Sequence, residues 1–185
     1  MKIKSIIEQS LEIKFILEII RDLKLEDSWL SAGTLRNYIW NVLSQKEDLS
    51  AMSDIDVVFF DQTISYEATC ELEKDLKKRF PNYDWELKNQ VYMHCHSPNS
   101  SAYTSSCDAI SKYPEKCTAI AARLDENNEL ELFLPYGEKD ILDFKVSPTP
   151  YFKEDSERMQ IYRKRQAKKK WKAMWPNLVI EDLSS

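Results

Sequence analysis

The residues best placed to do chemistry are Asp54 and Asp56, which open the run Asp54-Ile55-Asp56-Val57-Val58-Phe59-Phe60-Asp61. The apolar, β-branched and aromatic residues after them predict a buried strand over 54–60. On a strand, residues i and i+2 face the same way, with Cα atoms about 6.5–7 Å apart. Two carboxylates side by side at the mouth of a strand can converge on one or two divalent cations. Hard oxygen donors of this kind suit Mg²⁺ or Mn²⁺, which takes its remaining ligands from water and substrate phosphates. An Asp-x-Asp pair is also a common solvated strand start, so its surroundings must carry the argument.

Those surroundings hold a glycine, and the chain has only two, Gly33 and Gly137. A glycine in so Gly-poor a sequence points to a specific backbone need, such as a positive φ or the close approach of a ligand. Trp29 to Ala32 predicts a short strand, and Leu35, Ile39, Val42 and Leu43 recur at helical spacing over 34–44. Gly33 therefore marks a strand-to-helix turn, with Thr34 the candidate N-cap. A helix N-terminus offers free N–H groups and the positive end of the helix dipole, which suits a phosphate. Arg36, in the first helical turn, is a candidate clamp for a triphosphate or pyrophosphate. A cation there opposes the dipole and calls for an anion nearby. Asn37 is a candidate for bonding substrate or capping a loop.

A two-metal phosphoryl-type transfer, the chemistry such a pair beside a phosphate could do, is helped by a third carboxylate that binds or deprotonates the attacking hydroxyl. Glu86, between Trp85 and Leu87, and Glu131, between Leu130 and Leu132, both have the apolar-acid-apolar form. Lys88 shares a strand face with Glu86 and can neutralise phosphate or pair with that glutamate. Asn89 and Gln90 read as buried amides that fix the following loop.

The elements that must position these groups alternate along the chain. Residues 3–24 carry isoleucines and leucines at helical spacing and predict one amphipathic helix. Gln45 to Met52 predicts a loop, 66–79 a charged helix with Leu72 and Leu76 inside, and Trp85 to Met93 a strand. Ser97 to Ser106 reads as a loop, Cys107 to Tyr113 as a short helix. Lys116–Leu124 and Glu129–Leu134 flank a polar turn and predict a hairpin. Residues 152–174 predict a basic C-terminal helix stopped by Pro176. Strands alternating with helices predict an α/β or α+β fold with a mixed central sheet, in a single domain over 1–185.

Lys and Arg number 26 against 31 Asp and Glu, a net charge of −5. The chain as a whole does not attract polyanions, so any nucleic-acid contact must be local. The basic C-terminal segment, with Tyr162 and Trp171 interleaved, is the place for one; a solvated helix face is the plainer reading. No apolar run suits a membrane span, and the N-terminus has no signal-peptide pattern. Cys70, Cys95, Cys107 and Cys117 form no Cys-x-x-Cys pair and read as reduced thiols of a cytoplasmic protein. Cys95 lies between His94 and His96, but no second cluster completes a zinc site.

Several blocks together resemble a bacterial family of nucleotidyltransferase-like proteins within the DNA polymerase β-like nucleotidyltransferase superfamily. They are Ala32-Gly33-Thr34-Leu35-Arg36-Asn37-Tyr38-Ile39-Trp40, the Asp54–Asp61 run, and Trp85-Glu86-Leu87-Lys88-Asn89-Gln90-Val91-Tyr92-Met93-His94. Leu134-Pro135-Tyr136-Gly137 with Asp140, Pro148-Thr149-Pro150 and Trp175-Pro176 continue the likeness over about residues 29 to 178. The superfamily's turn is Gly-Gly or Gly-Ser; here it is Gly33-Thr34, which keeps serine's hydroxyl. The resemblance implies the polymerase β-like fold and a metal-dependent transfer of a nucleoside monophosphate from an NTP, with pyrophosphate release. It implies Mg²⁺ or Mn²⁺ on Asp54 and Asp56, with phosphate-side contacts from Gly33, Thr34, Arg36, Asn37 and Lys88. The superfamily's third acid lies on a strand adjacent to the first two, which favours Glu86 over Glu131. The acceptor, whether RNA, protein or a small molecule, stays open. A non-catalytic nucleotide- or RNA-binding module on the same fold is the alternative, and a toxin- or antitoxin-like regulator a third reading.

Overall fold

The computed structural model describes residues 2–46 and 54–181. From residue 47 onward, the loop expected over Gln45–Met52 lies outside the described residues.

The N-terminal segment forms two helices rather than one, α1 (Lys2–Glu8) and α2 (Leu11–Asp22). Ser10 breaks the run by capping: its hydroxyl accepts the N–H of Ile13 at 3.1 Å, while its own N–H donates to the Ile7 carbonyl. The isoleucines of both helices remain buried. β1 (Trp29–Ser31), α3 (Gly33–Leu43) and β2 (Ile55–Phe59) follow, then α4 (Tyr66–Arg79) and β3 (Trp85–Asn89). Ser65 caps α4 by accepting the N–H of Ala68. Leu76 is buried as expected, but Leu72 stays 38 % exposed, because α4 packs mainly on the edge strand β3.

β3 stops short of the expected Met93. The buried Asn89 carboxamide donates to the carbonyls of Asp61 and Ile64 and accepts from the N–H groups of Asp61 and Val91. These bonds replace the strand ladder with a turn, and a 3₁₀ turn follows at Met93–His96. Next come α5 (Ser106–Ser111) and the hairpin β4 (Ala121–Leu124) with β5 (Leu130–Phe133). The hairpin turn closes on Asp125, whose carboxylate accepts from Asn127 and Glu129 at 2.8 Å. The chain continues through α6 (Lys139–Leu142), β6 (Lys145–Val146), α7 (Pro150–Lys153), α8 (Ser156–Lys168), α9 (Trp171–Met174) and β7 (Val179–Ile180). The expected basic helix over 152–174 is thus three helices. Asp155 starts α8 afresh, accepting from Glu157 and Arg158.

Five strands make a mixed sheet in the order β3-β2-β1-β4-β5, with β2 and β3 parallel and the other pairs antiparallel. A separate parallel pair joins β6 and β7. The register gives the sheet two unlike faces. One carries Leu30, Ile55, Val57, Phe59, Trp85, Leu87 and Ala122, all within the main core with α1, α2 and α3. The other carries Trp29, Val58 and Ala121, which meet Ile110 of α5 in a small second cluster. Asp56, Glu86 and Lys88 lie on this second, more open face, by the alternation of side chains along a strand.

Candidate active site

The β2–β3 register sets Asp56 directly beside Glu86, and Val58 beside Lys88. Neighbouring strands are about 4.8 Å apart, so two like charges here repel unless something stands between them. Lys88 does so. Its Nζ is 2.8 Å from Asp56 Oδ1 and 2.5 Å from Glu86 Oε2. Partial burial pulls the ammonium down, but Asp56 and Glu86 outweigh it and hold Lys88 well above the ordinary lysine range. Asp54 sits one residue before β2, exposed, so the strand begins at Ile55 rather than at 54.

The turn into α3 differs from expectation in where it places its strain. The positive φ belongs to Ala32, at φ 57° and ψ −120°, while Gly33 is the first helical residue. Ala32 is pinned there: its N–H donates to the Ile120 carbonyl, and its carbonyl accepts the N–H of Arg36. Ala32, not Thr34, occupies the N-cap position. The buried Thr34 instead donates its hydroxyl to the Asp54 carbonyl at 3.1 Å. That bond ties the start of α3 to the entry of β2 and holds the helix N-terminus beside the first carboxylate.

Arg36 points inward and is only 4 % exposed. Its Nη1 donates to Thr118 Oγ1 at 2.7 Å, and its Nε and Nη2 both donate to Asn37 Oδ1. The guanidinium also lies 4.3 Å from the Trp171 ring centre and 5.3 Å from that of Trp40. Burial lowers its pKa, opposed by Cys117 and Glu115. The anion expected near it is Glu115, acting through the field rather than by contact.

Glu115 was not legible in the sequence, where it sits in an ordinary charged stretch beside Lys116. It is fully buried, held by Arg165 Nε at 3.0 Å and Nη2 at 3.4 Å, and by Gln166 Nε2 at 2.9 Å. This set docks α8 against the segment before β4. Arg158 also turns inward, donating to the carbonyls of Pro98, Tyr151 and Asn99. By contrast Arg163, Lys164, Lys168, Lys169, Lys170 and Lys172 are exposed.

Asp56 and Lys88 open onto a cleft of about 460 Å³, walled by Tyr103, Lys112, Tyr113 and, from the C-terminal helices, Phe152, Ile161 and Arg165. The Tyr113 hydroxyl lies 3.3 Å from Ser31 Oγ, and burial pushes its pKa up to about 12, so it stays a phenol. Glu131 is on the same sheet face as Glu86 but on the far edge strand, bound to Arg123 Nε at 2.6 Å. The structure thus places Glu86, not Glu131, beside Asp56.

Among the described residues no group of three or more His, Cys, Asp or Glu side chains gathers as a metal site. The donor chemistry at Asp56 and Glu86 nevertheless suits a hard cation. Both are carboxylates, they are in register, and a positive charge already stands between them. Burial pushes the Cys117 thiol up to about 12 and the Cys107 thiol up to about 11, so neither is a ready metal ligand or nucleophile.

A family model described as nucleotidyltransferase matches residues 18–180. Among solved structures, one protein is 54 % identical and covers 97 % of this chain and 94 % of its own, with a TM-score of 0.91; its NMR structure is described as revealing a CCA-adding enzyme head domain. The Bacillus stearothermophilus CCA-adding enzyme in complex with CTP is 17 % identical, with a TM-score of 0.45 over 82 % of this chain and 37 % of that one. A tRNA nucleotidyltransferase complexed with a primer tRNA and an incoming ATP analogue is 16 % identical, with a TM-score of 0.47 over 90 % of this chain and 46 % of that one. No curated protein matches the chain.

Proposed function

The chain belongs to the nucleotidyltransferase family, and on that footing we propose that it is a metal-dependent enzyme moving a nucleoside monophosphate from an NTP to an acceptor hydroxyl. The observation that carries the proposal is the side-by-side placement of Asp56 and Glu86 around one positive charge, on the open sheet face. The start of α3, held against Asp54 by Thr34, lies next to them.

In this reading the acceptor oxygen bonds to the α-phosphorus, the bond from that phosphorus to the α–β bridging oxygen breaks, and pyrophosphate leaves with the bonding pair. The acceptor's proton goes to Glu86. Mg²⁺ or Mn²⁺ held by Asp54 and Asp56 would neutralise charge on the phosphates and lower the pKa of the attacking hydroxyl. Gly33 and Thr34 present the helix N-terminus to the phosphates. Lys88 supplies a mobile positive charge for them. Arg36 works from inside, fixing Asn37 and Thr118 behind the cleft.

An RNA end is the acceptor class the surface fits best. The C-terminal helices reach the cleft, which Ile161 and Arg165 line, and the exposed Arg163, Lys164, Lys168, Lys169, Lys170 and Lys172 lie on the same stretch of chain. The 54 % identical relative, described as a CCA-adding enzyme head domain, supports the same class.

Each labelled NTP with Mg²⁺ should be incubated with RNA, protein and small-molecule acceptors, scoring pyrophosphate and transferred label. Glu86→Gln should keep nucleotide binding and slow transfer by roughly 10²–10⁴, while Glu131→Gln stays near wild type. Wild type inactive with every NTP, yet binding nucleotide, would favour the non-catalytic module. Label on protein or small molecules alone would reassign the acceptor.

A further inference from the structure

We propose that Lys88 is a displaceable internal cation that competes with free divalent metal for Asp56 until a triphosphate draws the ammonium away. The proposal rests on the metal-site reading above. Without a cation, Asp56 and Glu86 would face each other across adjacent parallel strands as uncompensated like charges. Lys88 is on the same face two residues beyond Glu86, and its ammonium contacts both carboxylates at once. The ammonium thus occupies an oxygen of Asp56, one of the two carboxylates read as holding the metal. A divalent ion arriving alone must therefore enter against a resident positive charge and leave that charge without a partner.

A metal–triphosphate complex removes this obstacle. Its phosphates give the ammonium a second anionic partner, and a lysine can follow because its compact charge rides on a flexible four-carbon stem. Metal and nucleotide then favour each other's binding with no rearrangement of the fold. The coupling is reciprocal: nucleotide strengthens metal binding by the same factor by which metal strengthens nucleotide binding. Lys88 is also half-exposed at the cleft, so its side chain has room to move.

Mn²⁺ binding to the intact chain, followed by electron paramagnetic resonance with and without an α,β-methylene NTP analogue, tests this. Wild type should bind Mn²⁺ weakly alone and more tightly with the analogue. Lys88→Met should bind Mn²⁺ alone about 10-fold more tightly, the effect of removing one screened charge contact, and should lose most of the enhancement by the analogue. Lys88→Gln, which keeps a polar group on the stem, should behave alike. Mn²⁺ should raise the melting temperature of both variants more than that of wild type, because it replaces the missing cation. Unchanged Mn²⁺ affinity in both lysine variants, with Asp56→Asn still weakening it, would overturn the role of Lys88 and leave the metal site standing. Mn²⁺ binding indifferent to Asp56→Asn would overturn the metal-site reading itself.

Discussion

Ala32 holds backbone angles that an L-residue with a β-carbon adopts only under constraint. Its two backbone hydrogen bonds, to Ile120 and from Arg36, set the direction in which α3 leaves β1. The strain is stored at the turn from β1 into α3, one residue before the glycine that sequence alone marks as the special position. Gly33 is the first residue of α3. Ala32→Gly should relieve about 1–3 kcal/mol of strain and give back roughly 0.5–1 kcal/mol through the freer unfolded chain. A small net gain in stability is expected, read as a rise in the midpoint of thermal unfolding. Ala32→Val should lower it, since a branched side chain fits these angles worse. If both variants melted with wild type, the turn would carry no strain. Glu86 and Glu131 share the apolar-acid-apolar form, so pattern alone offered both; the pairing of β3 with β2 is what sets Glu86 beside Asp56, while Glu131 is bound to Arg123. Glu115 was not legible, because burial of a lone acid leaves no mark on local pattern.

At the scale of elements, α8 is held to the body of the protein by a buried charge. Glu115 has no exposure, and Arg165 with Gln166 supplies its bonds from one turn of α8. Removing the partner strands the carboxylate, a change that costs about 3–5 kcal/mol when it leaves a buried ion uncompensated. Arg165→Ala should fall at the low end of that range, because the arginine itself keeps some contact with water. Glu115→Gln in the same chain should recover much of the loss, since the amide needs no counter-charge. Urea unfolding of the two single variants and the double variant measures this. A double variant no better than Arg165→Ala would mean that packing of the arginine stem, not the charge, is what matters. The same element shows where sequence patterning runs out. The run of basic residues predicts one solvated helix, yet Arg158 and Arg165 are drawn inward to carbonyls and to Glu115. Asp155 caps a new start that periodicity over a polar stretch cannot display. The N-terminal helix divided for the same reason, at Ser10. A side-chain cap outweighs a continuous apolar stripe, and the stripe is the louder signal in sequence.

Across the whole molecule, the main core and the proposed site lie on opposite faces of one sheet. The alternation of β2 makes this nearly residue by residue: Ile55 and Val57 enter the main core, while Asp56 between them looks onto the cleft. The two-residue period of β2 was readable from the sequence, because a one-residue shift would bury the acid and expose the isoleucine, whereas the strand order was not. Which face stayed open was not readable, since that depends on α1, α2 and α3 all packing on the same side. Two adjacent substitutions separate the roles. Ile55→Ala removes a fully buried side chain and should cost about 2–5 kcal/mol. Activity per folded molecule should remain, because the acids keep their strand. Asp56→Asn should change stability by less than about 1 kcal/mol, since the amide oxygen still accepts from Lys88, yet it should abolish transfer. Calorimetry and a transfer assay on the same preparations decide the matter. Wild type should unfold in a single transition, with calorimetric and van't Hoff enthalpies equal, if residues 1–185 form one cooperative domain. Were Asp56→Asn as destabilising as Ile55→Ala, the acid pair and its lysine would be part of what holds the sheet together, and the open face could not be counted as free for chemistry.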